Sequence, residues 1–323
     1  MTLPKAWDAA TAHMRRAQRI LAITHVSPDG DAIGSLLGFA RGLAGLGKQV
    51  TPACQDSAPQ RFGFLPGLHE IRQQAAGTYD VIVALDSSDP QRLGAPFVTA
   101  AQSGAPVVVI DHHVTNTRFG TVNVVNPSAT STAEMVLECL QRLGAPISTD
   151  VATALLTGLV TDTLAFRTSN TTTQTLAAAL QLMQHGADLY AIVKQALVMR
   201  TFDSLRLLGL GLSNAHLEGR LAYATIPFRQ REELGIKEDR GDGGLAGTLI
   251  TAYEVDVAAV FIELQNGDVD VSMRGQPGFD VSQPAFEFGG GGHPAAAGCL
   301  LPGPLRDAVN RVLPRLQQLI RNA

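Results

Sequence analysis

Aspartate and histidine side chains recur directly after apolar runs in the first half of this chain. They lie in His25-Val26-Ser27-Pro28-Asp29-Gly30-Asp31, at Asp86, in Asp111-His112-His113 and at Asp162. Each segment alone is equally well explained as a hydrogen-bonded loop or turn. Carboxylates that point inward at successive strand ends are unfavourable, however, unless their charge is neutralised. The set as a whole therefore predicts one shared site.

The chemistry follows from the ligand types. Five carboxylates in one cleft repel one another and need cations. Aspartate oxygen and histidine nitrogen without a thiolate suit Mn²⁺ or Mg²⁺, with Zn²⁺, Co²⁺ and Fe²⁺ as alternatives. The candidate ligands are more numerous than one cation can coordinate. Two ions about 3.5–4 Å apart, bridged by a carboxylate and a water, would activate a hydroxide for in-line displacement at phosphorus.

The elements that position these groups alternate between apolar runs and helical patterns. We predict strands at 20–24, 49–53, 81–85 and 107–110, and helices at 33–46, 131–143 and 151–164. This alternation is typical of an α/β fold with a doubly wound, mostly parallel sheet. Because parallel strands end along one edge, the sheet would gather the acid and imidazole groups there.

Several residues near the helix starts have structural explanations. Ser131-Thr132-Ala133-Glu134 and Thr171-Thr172-Thr173-Gln174 fit the capping-box pattern, which explains Glu134 better than catalysis does. Gly30, Gly34 and Ser35 could allow close approach of a ligand, but helix packing explains them equally well.

The chain of 323 residues is too long for one ordinary core, so we expect two domains. The prediction is a catalytic domain at 1–185, a helical connector at 186–214 and a smaller α+β domain at 215–323. In the last domain we expect strands at 220–226, 255–264 and 269–273, a hairpin at 265–268, and a helix at 305–320 kinked at Pro314. Paired helices in the connector favour a homodimer.

Composition narrows the class of protein. The chain is 45% hydrophobic and 17% charged, which excludes a disordered or collagen-like protein. It has no apolar stretch of membrane-spanning length, and its first residues lack the basic segment followed by an apolar one that would predict export. Its three cysteines are far apart and outside any C-x-x-C pair, which disfavours a disulfide framework or a zinc knuckle. We therefore expect a cytoplasmic protein with no membrane partner.

Charge limits the substrate. Residues 1–214 hold 15 Lys and Arg against 15 Asp and Glu, and residues 215–323 hold 10 against 14. Long nucleic acids need a surplus of cations, so a polyanionic substrate of this chain must be short.

Three further features could bind an anion. Gly289 to Gly292 could direct successive amides at a phosphate, with His293 adding a donor; a flexible hinge is the alternative, although a small-residue helical segment is predicted after His293-Pro294. Ser272 and Arg274 share one strand face and could receive a terminal phosphate, unless that strand is only an exposed edge. Arg92 could reach a phosphate or be an ordinary surface arginine.

Several motifs, taken in chain order, resemble the DHH phosphoesterase superfamily with its DHH-associated C-terminal domain. They are His25-x-x-x-Asp29-x-Asp31, Asp86, Asp111-His112-His113, Asp162, Ser272-x-Arg274 and Gly289 to His293. Length and motif order are most similar to the nano-RNase/pAp phosphatase family, over nearly the whole chain. The resemblance implies that His25 and Asp29 hold one ion, that Asp31, His112 and Asp162 hold the other, and that Asp86 bridges them. It also implies that His113 approaches the phosphate while Asp111 orients the histidines.

The resemblance further implies an activity. It points to a phosphohydrolase with two Mn²⁺ ions, Mg²⁺ or Co²⁺ being alternatives, that degrades very short oligoribonucleotides to mononucleotides from either the 5′ or the 3′ end. It also points to dephosphorylation of 3′-phosphoadenosine 5′-phosphate (pAp) to AMP. The expected catalytic residues are His113, Asp86 and Asp111. The expected substrate-binding residues are Arg92, His113, Ser272, Arg274, Gly290, Gly291, Gly292 and His293.

Three alternatives stay open. One is a phosphodiesterase for cyclic or linear dinucleotides of the c-di-AMP and pApA type. Inorganic pyrophosphatase shares the metal motifs, but a Gly-rich second domain makes it a poorer match. The third is a regulatory module that binds nucleotides without turnover. An inactive module would be expected to lose at least one metal-binding carboxylate, and this sequence retains all of them.

Overall fold

The computed structural model describes residues 2–236 and 241–322. The chain divides into two compact units, Met1–Met199 and Arg200–Ala323. The predicted connector 186–214 is shared between them, because its first fourteen residues belong to the first unit and the rest to the second. In the described part of the chain, no helix combines the length and the apolar character needed to cross a membrane.

The first unit is built on a five-stranded sheet with the order β2-β1-β3-β4-β5, and every pairing in it is parallel. Its strands are β1 (Arg19–Ile23), β2 (Gln49–Ala53), β3 (Val81–Leu85), β4 (Val107–Asp111) and β5 (Val122–Val125). The parallel α/β prediction is confirmed, and β5 is a strand that the sequence pattern did not reveal. The strands β1, β3 and β4, which deliver the acid and imidazole groups, are direct neighbours.

Helices cover both faces of this sheet. Along β1, Ile20 and Ala22 join one apolar cluster while Leu21 and Ile23 join another, as the two-residue period of a strand requires. The helices are α1 (Leu3–Arg16), α2 (Gly30–Ala44), α3 (Gly94–Ala101), α4 (Thr132–Leu143), α5 (Thr149–Asp162), α6 (Thr173–Gln184) and α7 (Leu189–Val193), the last continuing as a π-helical turn at Lys194–Val198. Short 3₁₀ turns lie at Gln60–Phe62, Leu68–Glu70 and Gln91–Leu93.

Two helix starts differ from the prediction. Helix α2 begins at Gly30, three residues earlier than expected, because the Asp29 carboxylate accepts hydrogen bonds from the amides of Asp31 and Ala32 and caps it. The capping box of α6 joins Thr172 to Thr175, one residue later than predicted.

The Ser131–Glu134 box is only half formed. The Ser131 hydroxyl accepts from the Glu134 amide, but the Glu134 carboxylate accepts from the amide and hydroxyl of Thr130 instead of from Ser131. Glu134 is thereby occupied in a local cap, as predicted.

Glycines bring α2 and α5 into close contact. A Cβ on Gly34 would lie 2.5 Å from the Ala154 carbonyl oxygen, and one on Gly30 would overlap the Thr161 side chain. A Cβ on Gly158 would lie 2.7 Å from Asp31 Oδ1. Of the two explanations for Gly30 and Gly34, the structure therefore shows helix packing. This packing sets the first turn of α2 beside the last turns of α5.

The second unit has a six-stranded mixed sheet with the order β10-β11-β9-β8-β7-β6, in which only β7 and β8 pair in parallel. Its strands are β6 (Ala215–Glu218), β7 (Leu221–Ile226), β8 (Val257–Glu263), β9 (Val269–Gly275), β10 (Gly291–His293) and β11 (Ala296–Leu301). Its helices are α8 (Phe202–Ser213), α9 (Phe228–Glu233), α10 (Leu245–Leu249), α11 (Ser282–Glu287) and α12 (Leu305–Asn322).

The hairpin predicted at 265–268 is confirmed, since β8 and β9 are antiparallel neighbours. The small-residue segment after Pro294 is a strand, so the helical prediction there is wrong. Pairing of β11 with β9 supplies the order that an Ala- and Gly-rich sequence does not encode locally. Helix α12 runs without interruption across Pro314.

Candidate metal centre

His25 follows β1 and is almost fully buried. Its Nδ1 lies 2.8 Å from the Val26 carbonyl oxygen. Because a carbonyl oxygen can only accept, Nδ1 carries a hydrogen, and Nε2 is the ring atom left to bind either a second proton or a cation. Nε2 lies 3.5 Å from Asp86 Oδ2 and 4.0 Å from Asp29 Oδ1. The imidazole therefore directs a ligand atom at two carboxylates.

Asp31 is held by the start of helix α4. Its carboxylate accepts hydrogen bonds from the amides of Thr132 at 2.6 Å and Ala133 at 2.9 Å, and the Ser35 hydroxyl lies 3.2 Å away. The positive end of the α4 dipole stabilises the charge. Burial, together with the nearby charges of Asp86, Asp162 and Asp29, nevertheless raises the pKa of Asp31 well above its usual range.

Asp86 lies at the centre of the cluster. It follows β3 in the left-handed region, with φ of 58°, which is rare for a residue other than glycine. The Thr132 hydroxyl donates to its Oδ1 at 2.9 Å, and nitrogen atoms of His112 and His113 each lie 3.7 Å from the same oxygen. Burial alone would raise the pKa of Asp86, but the hydrogen bond with His25 and the charges of the three histidines lower it below its usual range.

The side chains of Asp111-His112-His113 make two separate sets of contacts. Asp111 lies within β4, one residue further along the strand than predicted, and is fully buried. Its Oδ1 lies 2.7 Å from His113 Nδ1, and its Oδ2 accepts from the Asn116 side chain at 2.6 Å. Asp111 therefore orients His113. His112 Nε2 lies 3.6 Å from Asp162 Oδ2 at the end of α5, in addition to its approach to Asp86 Oδ1.

The pKa values of His113 and Asp162 report the charge balance of the cluster. Burial alone would lower the pKa of His113, but its hydrogen bond with Asp111 and the charges of Asp86 and Asp111 raise it to about 9. Burial raises the pKa of Asp162 to about 6, with His112 opposing the shift and Asp86 adding to it.

The donor set fits cations. Three groups of ligand atoms each lie within 4.8 Å of one another and share members: His25, Asp29 and Asp86; Asp31, His112 and Asp162; Asp86, His112 and His113. Within residues 2–236 and 241–322, no Lys or Arg side chain forms an ion pair with Asp29, Asp31, Asp86 or Asp162. Asp29, Asp86 and Asp162 form ion pairs only with histidines, and Asp31 forms none in this part of the chain. Asp31 and Asp86 are buried, and buried carboxylates left without a basic partner are suited to bind divalent cations.

Arg92 lies beside this cluster. Its Nη2 is 3.3 Å from His25 Nδ1, and its carbonyl oxygen accepts from the Val26 amide at 2.7 Å. The backbone hydrogen bond ties the 3₁₀ turn after β3 to the loop that follows β1, and it places the guanidinium beside His25.

The sequence reasoning missed two supporting residues, Thr132 and Asn116. Thr132 contacts both Asp31 and Asp86, and Asn116 joins Asp111 to the Ser87 carbonyl oxygen. The signal for Thr132 was present in the cap segment Ser131–Glu134, which was interpreted only as a local helix start. Asn116 offered no comparable signal.

The predicted substrate residues of the second unit lie on β9 and β10. Ser272 and Arg274 share one partly exposed face of β9, while Met273 between them is buried. Gly291, Gly292 and His293 form the exposed strand β10. The amide of Gly290 donates to the Ala285 carbonyl oxygen at 2.8 Å, so it is not available to an anion as expected.

Glycine at 290 and 292 has a packing reason. A Cβ on Gly290 would overlap the Gly298 carbonyl oxygen, and one on Gly292 would lie 2.5 Å from the Ala296 carbonyl oxygen. Next to this strand is an open cavity of about 450 Å³, lined by the largely exposed ring of Phe286 and by Gly291 and Gly292.

Known proteins share both the motifs and the fold. Residues 19–159 match the DHH family, N-terminal domain, and residues 235–322 match the DHHA1 domain. The bifunctional oligoribonuclease and PAP phosphatase NrnA of Thermus thermophilus is 39% identical over 312 residues, covering 94% of this chain and 91% of that protein. The Bacillus subtilis protein of the same name is 27% identical, covering 94% and 95%.

Among solved structures, an exopolyphosphatase-related protein from Bacteroides fragilis has a TM-score of 0.91 at 26% identity, covering 98% of this chain and 96% of that one. Domain matches, relatives and fold agree with one another. The chain therefore belongs to the DHH family of phosphoesterases, in the group that includes the bifunctional oligoribonuclease and PAP phosphatase proteins.

Proposed function

We propose that this chain is a two-metal phosphohydrolase that degrades very short oligoribonucleotides to mononucleotides and dephosphorylates pAp to AMP. The observation that carries the proposal is the set of three overlapping Asp and His groups at one edge of the first sheet. The names of the Thermus thermophilus and Bacillus subtilis relatives support the substrate class. The lack of surplus Lys and Arg favours short substrates over long nucleic acid.

The proposed ligands are His25 and Asp29 for one ion, Asp31, His112 and Asp162 for the other, and Asp86 for both. When bound, two divalent cations would polarise the phosphate oxygens and lower the pKa of an attacking water. Oxygen and imidazole ligands suit Mn²⁺, which we propose as the native ion, with Mg²⁺ and Co²⁺ as alternatives.

The remaining side chains orient the substrate. Asp111 fixes the His113 ring through Nδ1, and we place the His113 Nε2 at the leaving oxygen, where it would donate a proton. Arg92, held beside His25, would bind a non-bridging phosphate oxygen through its planar guanidinium. Thr132 would keep the Asp86 carboxylate in the orientation that serves both ions.

In the second unit, Arg274 and Ser272 would bind the terminal phosphate from the exposed face of β9. Gly291, Gly292 and His293 would border the nucleoside, and the exposed ring of Phe286 offers a surface on which a base can stack. Gly290 would act only through the shape of the turn.

Two further proposals concern the intact protein. We infer a cytoplasmic location, where short RNA fragments arise, and a homodimer, as the connector helices predict. Light scattering of the purified full chain tests the dimer, and cell fractionation tests the location.

The function is tested by hydrolysis of pApA, a five-mer RNA, pAp, cyclic di-AMP and pyrophosphate, each with Mn²⁺ and with a chelator. We expect metal-dependent hydrolysis of pApA, the five-mer and pAp. Activity that survives chelation, or hydrolysis of none of the five compounds, would contradict the proposal. Preference for cyclic di-AMP would favour the dinucleotide phosphodiesterase alternative, and preference for pyrophosphate the pyrophosphatase one. Binding without turnover would favour the regulatory module.

A further inference from the structure

The edge of the first sheet that carries the metal cluster also carries an open cavity of about 620 Å³. Its walls come from residues 56–73, an excursion that leaves the end of β2 and returns to pair beside Ala53 at Arg72. Because β2 runs parallel to β1, it ends at the same edge as the strand that delivers His25. The cavity and the cluster thus share one edge of one unit.

Direct contacts join the cavity wall to the metal-binding loop. The Asp56 carboxylate accepts a hydrogen bond from the Ser27 amide at 2.7 Å. Ser27 lies between His25 and Asp29 and has a φ of 52°, a left-handed conformation that this contact helps to hold. The Cys54 thiol, at the start of the excursion, donates to the His25 carbonyl oxygen at 3.3 Å. The excursion and the loop are therefore held in a fixed relation.

The cavity has an apolar floor. Leu65 and Leu68 belong to one cluster with Ile33 and Leu37 of α2, the helix whose first turn contains Asp31. Leu65 is buried, so this floor rests on the same helix that positions the cluster. An apolar surface of this kind suits the sugar and base of a nucleotide.

The rim of the cavity is polar. Gln73 donates to the Ser57 hydroxyl at 3.0 Å, and the Arg72 side chain is exposed. In the part of the chain that the structure describes, the Arg72 guanidinium has no hydrogen-bond or ion-pair partner. A cavity of several hundred Å³ that combines an apolar floor with a few polar groups is typical of small-ligand sites. An unpaired guanidinium is suited to a phosphate.

We propose that this cavity binds the nucleoside that a short oligoribonucleotide has beyond its scissile phosphate and that pAp lacks. The inference rests on the proposed function, in which the second unit binds the terminal phosphate and its nucleoside. The nucleoside on the other side of the scissile phosphate then needs a separate place near the cluster. The apolar floor would contact its base and sugar, and Arg72 would bind the phosphate that follows it in a trinucleotide.

The test compares kcat/KM on the trinucleotide pApApA and on pAp. Ser57→Trp adds a ring at the cavity mouth without disturbing a buried residue, and Arg72→Ala removes the cation while keeping its backbone pairing. Val98→Trp, at an exposed position of α3, and Arg61→Ala, an exposed arginine of the same excursion outside the cavity lining, are matched controls.

We expect Ser57→Trp and Arg72→Ala to lose about tenfold or more in kcat/KM on pApApA, as loss of the nucleoside contacts or of one charged hydrogen bond predicts. Both should retain pAp hydrolysis, and both controls should resemble the wild type on both substrates.

The cavity assignment would be overturned if the wild type cleaves pApApA and both variants do so at the wild-type rate. It would equally be overturned if the variants lose pAp and pApApA activity in the same proportion. Failure of the proposed function looks different, because the wild type itself would then cleave neither substrate, and the cavity assignment would fall with it.

Discussion

Replacing Thr132 with valine isolates one contact in the metal cluster. Valine has nearly the same shape, and the Thr132 amide that donates to Asp31 is retained. The change removes only the hydroxyl that donates to Asp86 Oδ1 at 2.9 Å in a fully buried setting. A hydrogen bond to a charged group contributes about 1.5–3 kcal/mol, which corresponds to roughly 10- to 150-fold in an equilibrium constant.

The assay is a titration of the metal-free protein with Mn²⁺. Calorimetry measures the Mn²⁺ affinity, and the rate of pAp hydrolysis measures kcat. We expect Thr132→Val to weaken Mn²⁺ affinity by about 10- to 100-fold, in the range found for groups that orient metal ligands. Thr132→Ser keeps the hydroxyl and should restore affinity to near the wild-type value. Wild-type Mn²⁺ affinity and kcat in Thr132→Val would refute the idea that this hydroxyl orients Asp86.

Asp86→Ala should abolish binding of both ions and nearly all hydrolysis, because Asp86 is the proposed shared ligand; elemental analysis showing full metal content would contradict this. Arg274→Ala should mainly raise KM for pAp and leave kcat within a fewfold, which steady-state kinetics checks; a loss confined to kcat would argue against terminal-phosphate binding. Asp80→Asn should lower the melting temperature at pH 7 by an amount that shrinks as the pH falls below about 4. The amides of Arg19 and Gln18 lower the pKa of Asp80, so its contribution is present above the usual carboxyl range and is lost as the pH falls through the lowered value. A difference that is the same at pH 3 and pH 7 would rule out this linkage.

The central strands could be predicted from the sequence because each is a short β-branched run bounded by polar or turn residues. Val81–Leu85 was predicted to the residue, and Val107–Asp111 to within one residue. Strand β11 could not be predicted, because Ala296–Leu301 is rich in Ala and Gly and becomes a strand through its pairing with β9. The start of α2 was missed because Asp29 was considered as a ligand and not also as a helix cap.

The candidate cluster was predictable from chain position alone, since β1, β3 and β4 are parallel and their ends must meet. The contacts that support the cluster could not be predicted from the sequence. Thr132 reaches Asp31 and Asp86 only because α4 begins over the same edge of the sheet, and Asn116 reaches Asp111 through a turn that no pattern encodes. The Gly290 amide shows the opposite error, because a glycine that looked free to bind an anion is engaged by α11.

The central claim is that overlapping carboxylates and histidines hold two ions in one chain. The most direct measurement is the number of Mn²⁺ ions bound per chain, determined by calorimetric titration of the chelator-treated full-length protein and checked by elemental analysis. Two ions per chain are expected. A stoichiometry of one or none at saturating Mn²⁺ would contradict the account.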